Sequence, residues 1–159
     1  MMRKRECLMI AVAAIDQLIK AYVRTLPLGV VFFEIPGVLS LTHCVNTGAA
    51  FSIMTGYTAV LSIVSSGLLL GIGYFAAKRL RMTALARTSI AFLIGGGLGN
   101  LIDRLLLEGV TDYICLLFIN FPVFNFADMA ITGSIAVLLF LLLTDRLEEP
   151  TEEEHGSKD

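Results

Sequence analysis

The sequence predicts an all-α membrane protein in which four transmembrane helices carry a small extracytoplasmic strand-paired element. Hydrophobic residues make up 56% of the 159-residue chain, charged residues make up 16%, and the mean hydropathy is +0.79. A water-soluble domain has a smaller apolar share and about 25% charged residues. The apolar residues form four segments, at residues 7–26, 57–77, 88–107 and 126–144. Each is close to the roughly 20 residues that a helix needs to cross a bilayer.

The first apolar segment follows a basic N-terminal stretch, as the core of a signal peptide would. It is interrupted by Asp16, Gln17 and Lys20, and no small-residue cleavage site follows it. We therefore expect a retained span, with a cleaved signal peptide as the alternative.

Basic residues are concentrated in two places along the chain. Arg3, Lys4 and Arg5 precede the first span, and Lys78, Arg79, Arg81 and Arg87 lie around the connection between the second and third spans. The loops at residues 27–56 and 108–125 contain no Lys or Arg. The positive-inside rule then predicts that both loops are extracytoplasmic and both termini cytoplasmic. We expect one membrane domain at residues 1–147 and a disordered acidic cytoplasmic tail at residues 148–159.

The two external loops show different patterns. Residues 30–35 and 38–45 are rich in β-branched and aromatic side chains and flank Pro36 and Gly37, which predicts two paired strands around a turn. Residues 113–124 are too apolar for a free solvated connection. We expect them to lie along the membrane interface as a short amphipathic segment.

Two carboxylates lie at the predicted outer boundary of the third and fourth spans. Asp112 follows the third apolar segment and Asp128 opens the fourth. Taken alone, Asp112 fits an ordinary loop residue, and Asn125 followed three residues later by Asp128 fits a capping box. Their convergence favours a functional site, because Asn100, Arg104 and Asn125 can approach the same place from adjacent turns.

A pair of close carboxylates has a defined chemistry. Both cannot ionise easily, so one retains a proton. The ionised group can take a proton from water while the protonated group donates one to a carbonyl oxygen. This acid–base pair hydrolyses a peptide bond without a covalent intermediate.

The histidines and cysteines suggest no other site. His43 and His155 are scattered, with no Ser or Thr partner in evidence. Cys7, Cys44 and Cys115 show no metal-ligand spacing, so we expect no metal and no cofactor. Cys44 and Cys115 both fall in external loops, where pairing is open to them, but free thiols are the expectation.

Other residues in or beside the spans fit a structural role, and some of them also fit a functional one. Asp16 is either neutralised by Lys20 one turn away or is a structural carboxylate beneath an active site, and these readings are compatible. Gly95 and Gly99 fit close helix packing. The stretch from Asn46 to residue 52 fits a turn, or an Asn side chain and exposed backbone that bind an extended peptide.

Two other functions compete with a peptidase. In a proton-coupled transporter, Asp16, Asp103 and Asp128 would form a relay, but inverted repeats would be expected and none is visible. A non-enzymatic assembly subunit would use the glycine face for packing and would leave the placement of Asp112 and Asp128 unexplained.

Five motifs in order carry a resemblance to a known family. They are Asp16-Gln17 with Lys20, residues 46–51 (NTGAAF), residues 96–104 (GGLGNLIDR), residues 110–113 (VTDY) and residues 121–128 (FPVFNFAD). With these motifs the chain resembles bacterial lipoprotein signal peptidase, or signal peptidase II, an aspartic peptidase of the inner membrane. The resemblance extends over essentially the whole chain to about Leu143.

The resemblance implies a site, a reaction and a fold. Asp112 and Asp128 would be the catalytic dyad. Asp16, Asn46, Asn100, Arg104 and Asn125 would position the dyad and the substrate backbone. The implied reaction cleaves a prolipoprotein on the amino side of a diacylglyceryl-modified cysteine. The implied fold has four transmembrane helices, an extracytoplasmic β-cradle and an interfacial helix. The expected partners are this substrate and membrane lipid, with no nucleic acid, and the protein is expected to be a monomer.

Overall fold

The computed structural model describes residues 2–48, 58–78 and 81–149. Four helices and three strands follow in the order α1 (Met2–Val23), β1 (Val31–Ile35), β2 (Leu39–Asn46), α2 (Thr58–Lys78), α3 (Ala84–Leu107), β3 (Val110–Leu116) and α4 (Phe126–Leu143). Each helix overlaps one of the four predicted apolar segments. Residues 49–52, part of one predicted motif, and residues 150–159 of the predicted tail lie outside the described residues.

The helices differ in how well they fit a bilayer. Helices α3 and α4 are long and apolar enough to cross a membrane, by length and composition. Helix α1 has 22 residues but carries several charges, and the apolar stretch identified within α2 is the shorter Val60–Phe75. Large apolar side chains are nevertheless exposed on all four helices, among them Ile10, Leu70, Leu106 and Phe140. Apolar surface of this extent indicates contact with lipid or with another protein.

Helix α3 packs against the other three helices, and its glycines allow the close approach. A Cβ atom at Gly95 would lie 2.7 Å from a backbone oxygen of α1, and one at Gly96 would lie 2.7 Å from a backbone oxygen of α4. A Cβ at Gly97 would collide with Leu69 of α2. The predicted packing role of Gly95 and Gly99 is confirmed, because both glycines face α1.

The three strands form one antiparallel sheet in the order β1-β2-β3. Strands β1 and β2 pair as the sequence predicts, and Gly37 between them has a φ of 73°. This left-handed conformation is one that glycine adopts without steric cost. The third strand brings Asp112 opposite Cys44 and Val110 opposite Asn46.

The expected amphipathic segment at residues 113–124 contains a strand and no helix. Residues 113–116 belong to β3, and residues 117–125 contain no helix. Ile114 and Phe124 form an isolated bridge that folds this segment back along the sheet. The physical reason is that β2 has an open edge, whose backbone groups require partners, and the β-branched run that begins at Val110 supplies them. The interfacial helix implied by the resemblance is therefore not at this position.

At the opposite end of the helices, Glu148 and Glu149 contact the start of α3 and the residues before it. Met82 and Glu148 form an isolated bridge, and the Glu149 N–H donates to the carbonyl oxygen of Arg81 at 2.7 Å. A carboxylate oxygen of Glu149 also lies 3.5 Å from the guanidinium of Arg87. The first two residues of the predicted acidic tail therefore lie against the helix bundle.

Candidate active site

Asp112 and Asp128 come from different elements and line the same cavity. Asp112 lies on β3 with 3% of its surface exposed, and Asp128 lies in the first turn of α4. The cavity has a volume of about 570 Å³, and Asn46, Asn100 and Arg104 also line it. The sequence predicts that Asn100 and Arg104 approach the two carboxylates, and the resemblance adds Asn46; the structure brings all five residues to one cavity.

Asn125 connects the two carboxylates. Its side-chain Nδ2 donates to Asp112 Oδ1 at 2.6 Å, and its backbone N–H donates to Asp128 Oδ2 at 3.1 Å. The Asp128 N–H donates back to Asn125 Oδ1 at 3.0 Å, which completes the capping box predicted from the sequence. The helix cap and the carboxylate pair are therefore one structure, and the two interpretations of this sequence are compatible.

Two further asparagines each hold one carboxylate. Asn46 Nδ2, at the end of β2, donates to Asp112 Oδ2 at 3.1 Å. Asn100 Nδ2, on α3, donates to Asp128 Oδ1 at 2.8 Å. Each carboxylate therefore accepts hydrogen bonds at both of its oxygens, and its orientation is fixed by donors from other elements.

Lys20 determines which way Asn100 points. The Lys20 ammonium is fully buried and donates to Asn100 Oδ1 at 2.8 Å. Because an ammonium offers only donors, it must face the amide oxygen and not the amide nitrogen. Asn125 Nδ2 donates to the same oxygen at 3.1 Å. The amide nitrogen of Asn100 is thereby directed at Asp128.

A buried group of four charges lies on the α1 side of the carboxylates. Lys20 pairs with Asp16 at 2.8 Å, one helical turn away, and lies 3.6 Å from Asp103. Arg24 pairs with Asp103 at 3.2 Å. The group contains two anions and two cations, so its charges balance, as buried charges generally require. The predicted neutralisation of Asp16 by Lys20 is confirmed.

This charge group also ties the site's elements together. The Ala127 N–H, at the start of α4, donates to Asp16 Oδ1 at 3.1 Å. The Thr111 N–H, on β3, donates to Asp103 Oδ2 at 2.9 Å. Asp16 does not line the cavity, and its polar contacts include Lys20 and the start of α4.

Comparison with known proteins identifies the family. Residues 8–144 match the family model described as signal peptidase (SPase) II. The chain belongs to the signal peptidase II family. The lipoprotein signal peptidase of Lactiplantibacillus plantarum is 43% identical over 144 residues, which cover 89% of this chain and 96% of the relative. That of Streptococcus pneumoniae is 35% identical over 150 residues, covering 92% and 98%.

Solved structures extend this family assignment to the fold. A bacterial membrane enzyme determined by the in meso method superimposes with a TM-score of 0.84 at 30% identity, covering 94% of each chain. A second such enzyme gives a TM-score of 0.80 at 31% identity, covering 89% of this chain and 94% of the other. The protein is therefore a membrane peptidase, and the family resemblance that its five motifs indicate is confirmed.

The electrostatics of the signal peptidase II site favour a retained proton. Burial, together with the nearby charge of Asp128, raises the pKa of Asp112 to about 6. The hydrogen bonds from Asn46 and Asn125 act in the opposite direction, because they stabilise the ionised form. The effects of burial and of repulsion between the two carboxylates are larger, so the pKa of Asp112 stays above its ordinary value.

Arg104 is placed differently from the asparagines. Its guanidinium lines the cavity, and within residues 2–48, 58–78 and 81–149 it has no hydrogen-bond or ion-pair partner. Asp103, Asp112 and Asp128 all act on it through space. Arg104 is thus available to a molecule in the cavity, and it does not anchor the carboxylates directly.

Sequence reasoning assigned no site role to Tyr113. Its hydroxyl oxygen accepts a hydrogen bond from the Phe126 N–H at 3.1 Å, which attaches the start of α4 to β3. Burial raises the pKa of Tyr113 to about 12, so the hydroxyl keeps its proton. The signal present in the sequence is that Tyr113 follows Asp112 on a predicted connection; because successive residues of a strand point to opposite faces, Tyr113 reaches the start of α4 from the other face of β3.

The cysteines and His43 lie outside this network. Cys7, Cys44 and Cys115 are free thiols, as the sequence analysis expects. Burial raises the pKa of Cys44, and the neighbouring Asp112 carboxylate adds to the effect. His43 Nδ1 lies 2.7 Å from the carbonyl oxygen of Leu26, so it attaches β2 to the chain that follows α1.

Proposed function

We propose that this membrane peptidase removes the signal peptide from prolipoproteins by cleaving on the amino side of a diacylglyceryl-modified cysteine. Asp112 and Asp128 would form an aspartic dyad that activates water. The observation that carries this proposal is the shared cavity, in which two carboxylates from different elements are held by Asn46, Asn100 and Asn125. The family name supports the reaction.

The proposed reaction needs one proton on the dyad. The ionised carboxylate takes a proton from water, whose oxygen attacks the scissile carbonyl carbon, while the protonated carboxyl donates its proton to the carbonyl oxygen. The tetrahedral intermediate then collapses as the amide nitrogen receives a proton. The products are a new carboxyl terminus on the signal peptide and a free amino group on the modified cysteine. Asp112 suits the protonated role, because its pKa is raised to about 6.

The remaining site residues would position this dyad and its substrate. Asn100 and Asn125 hold the carboxylates in a fixed relative orientation. Arg104 lines the cavity and has no hydrogen-bond or ion-pair partner among the described residues, so its guanidinium is suited to a carbonyl oxygen of an extended peptide or to an anionic group. Asp16 acts through Lys20 and through the start of α4.

We further propose the membrane arrangement. All four helices would span the inner membrane, since each exposes large apolar side chains and the Asp16 and Lys20 charges within α1 neutralise each other. The absence of Lys and Arg from residues 27–56 and 108–125 would place the sheet and the dyad at the extracytoplasmic face, with both termini in the cytoplasm. A lipid-anchored substrate would then reach the site without leaving the bilayer.

A cleavage assay with matched substrates tests the reaction. Purified protein is incubated with a diacylglyceryl-modified prolipoprotein and with an unlipidated copy of the same chain, and the products are resolved by gel shift. We expect cleavage of the lipidated substrate alone. Absence of cleavage by a well-folded protein, or equal cleavage of both substrates, would contradict the proposed specificity.

A further inference from the structure

A second groove runs along the contact between α3 and α4, beside the dyad cavity. It has a volume of about 400 Å³ and is lined on α4 by residues from Phe126 to Val137 and on α3 by Phe92 and its neighbours. Met129 and Gly133 line both the groove and the dyad cavity. The two spaces are therefore neighbours along α4, and the groove lies on the side of the dyad cavity towards Val137.

The groove is elongated along α4. The stretch from Phe126 to Val137 that lines it rises about 16 Å along a helix axis. A long apolar chain that enters beside Asp128 can follow the whole of this stretch, whereas a short chain reaches only its first turns. The length of a bound chain therefore decides how much of the groove it contacts.

The walls of the groove are suited to hydrocarbon. Phe92, Phe126 and Val137 present apolar surface, and Thr88 donates its hydroxyl to the Ala84 carbonyl oxygen of its own helix at 2.9 Å. Both walls belong to helices that are apolar and long enough to span a membrane. An apolar groove at this depth gives no hydrophobic preference over bulk lipid, because lipid tails are equally apolar. A chain occupies it selectively only if its other end is held at the dyad.

We propose that this α3–α4 groove holds one acyl chain of the diacylglyceryl group and so orients the scissile bond at Asp112 and Asp128. The inference rests on the proposed function, since it requires a substrate whose modified cysteine is at the dyad. In this proposal the groove favours the lipidated substrate because the bound chain orients the scissile bond. It does not bind the chain more tightly than bulk lipid does. The chain would run from the carboxylates past Met129 and Gly133 towards Val137.

Thr88 allows a specific test. It lines the groove and not the dyad cavity, and its hydroxyl donates to the Ala84 carbonyl oxygen of its own helix. Thr144 is the matched control, because it is exposed, donates in the same way to the Phe140 carbonyl oxygen at 2.8 Å, and lines neither space. Thr88→Phe and Thr144→Phe therefore make the same chemical change on α3 and at the C-cap of α4, and only the first adds bulk to the groove.

The two variants and the wild type are compared on one prolipoprotein that carries either two palmitoyl chains or two butyryl chains. We expect Thr88→Phe to lower kcat/KM about tenfold or more for the long-chain substrate, the size of effect that a filled apolar pocket produces. For the short-chain substrate the change should be less than about twofold, and Thr144→Phe should change neither value.

Two results would overturn the inference. An equal loss on both substrates would assign the groove to the peptide or to folding, and no loss on either would remove the groove from substrate binding. The proposed function is read separately from wild-type protein, which must cleave the lipidated substrate and lose that activity in Asp128→Asn. If the groove variants contradict the inference while the wild type cleaves the lipidated substrate normally, only the groove assignment fails and the proposed function stands.

Discussion

Lys20 shows how a residue outside the cavity controls a residue inside it. Its ammonium fixes Asn100 by donating to the amide oxygen, and Asn100 then donates to Asp128. Lys20 also balances the charge of Asp16 at 2.8 Å. Charge balance affects stability, whereas amide orientation affects the rate of reaction, so the two roles are separable.

Lys20→Met should lower both the stability of the protein and its rate of cleavage. Removing one partner of a buried ion pair costs about 3–5 kcal/mol, and a displacement of a catalytic group by about 1 Å costs on the order of 100-fold in rate. The double variant Lys20→Met with Asp16→Asn restores the balance of charge. We expect it to regain most of the unfolding temperature while kcat stays low. Recovery of kcat together with stability would show that Lys20 serves charge balance alone.

Asn46 controls the ionisation of Asp112. Because the pKa of Asp112 is raised to about 6, the form of the free enzyme with one dyad proton is depleted as the pH rises above that value. We expect kcat/KM to fall on the alkaline side, approaching tenfold per pH unit. Asn46 lowers the pKa of Asp112 by stabilising the carboxylate, so in Asn46→Ala the fall of kcat/KM should begin at a higher pH. A measured pH profile in which the fall begins at the same pH as in the wild type, or at a lower one, would contradict this account.

At the scale of elements, the glycines of α3 decide how closely the helices approach. A Cβ atom at Gly99 would lie 2.9 Å from Asp16 Cγ, in direct conflict with the Asp16–Lys20 pair. We expect Gly99→Ala to lower the free energy of unfolding by about 1–3 kcal/mol, as overpacking does. Gly71→Ala on the open face of α2 should be neutral or stabilising, because alanine is the better helix former. Equal unfolding midpoints for the two variants in detergent would refute this packing role.

The helices and the cap of α4 could be predicted from the sequence, because their signals are local. Apolar length marks the helices, and Asn125 with Asp128 marks the start of α4 within four residues. Strand β3 could not be predicted in this way. The run from Val110 to Leu116 is apolar and β-branched, which fits an interfacial segment or a strand equally, and pairing with β2 decides between them. That partner lies more than 60 residues earlier in the chain.

At the scale of the whole molecule, the site depends on contacts between distant parts of the chain. The sequence predicts that Asn100 and Asn125 approach Asp112 and Asp128, and the resemblance adds Asn46; the structure shows all three asparagines bonded to the two carboxylates. The direction of each amide does not follow from sequence, since it is set by partners such as Lys20, 80 residues from Asn100. The separation of Asp16 from the cavity could not be predicted either, because it depends on how α1 packs against α3 and α4.

The measurement that tests the central claim most directly is the rate of prolipoprotein cleavage by Asp112→Asn and Asp128→Asn. Each variant removes an ionisable group with little change in shape. Asp145→Asn is the control, because Asp145 is exposed and has a φ of 53°, a conformation that Asn tolerates. We predict that both dyad variants lose activity by about 10⁴-fold or more while remaining folded, and that the control is unaffected. A folded dyad variant with near-normal cleavage would contradict the two-aspartate mechanism.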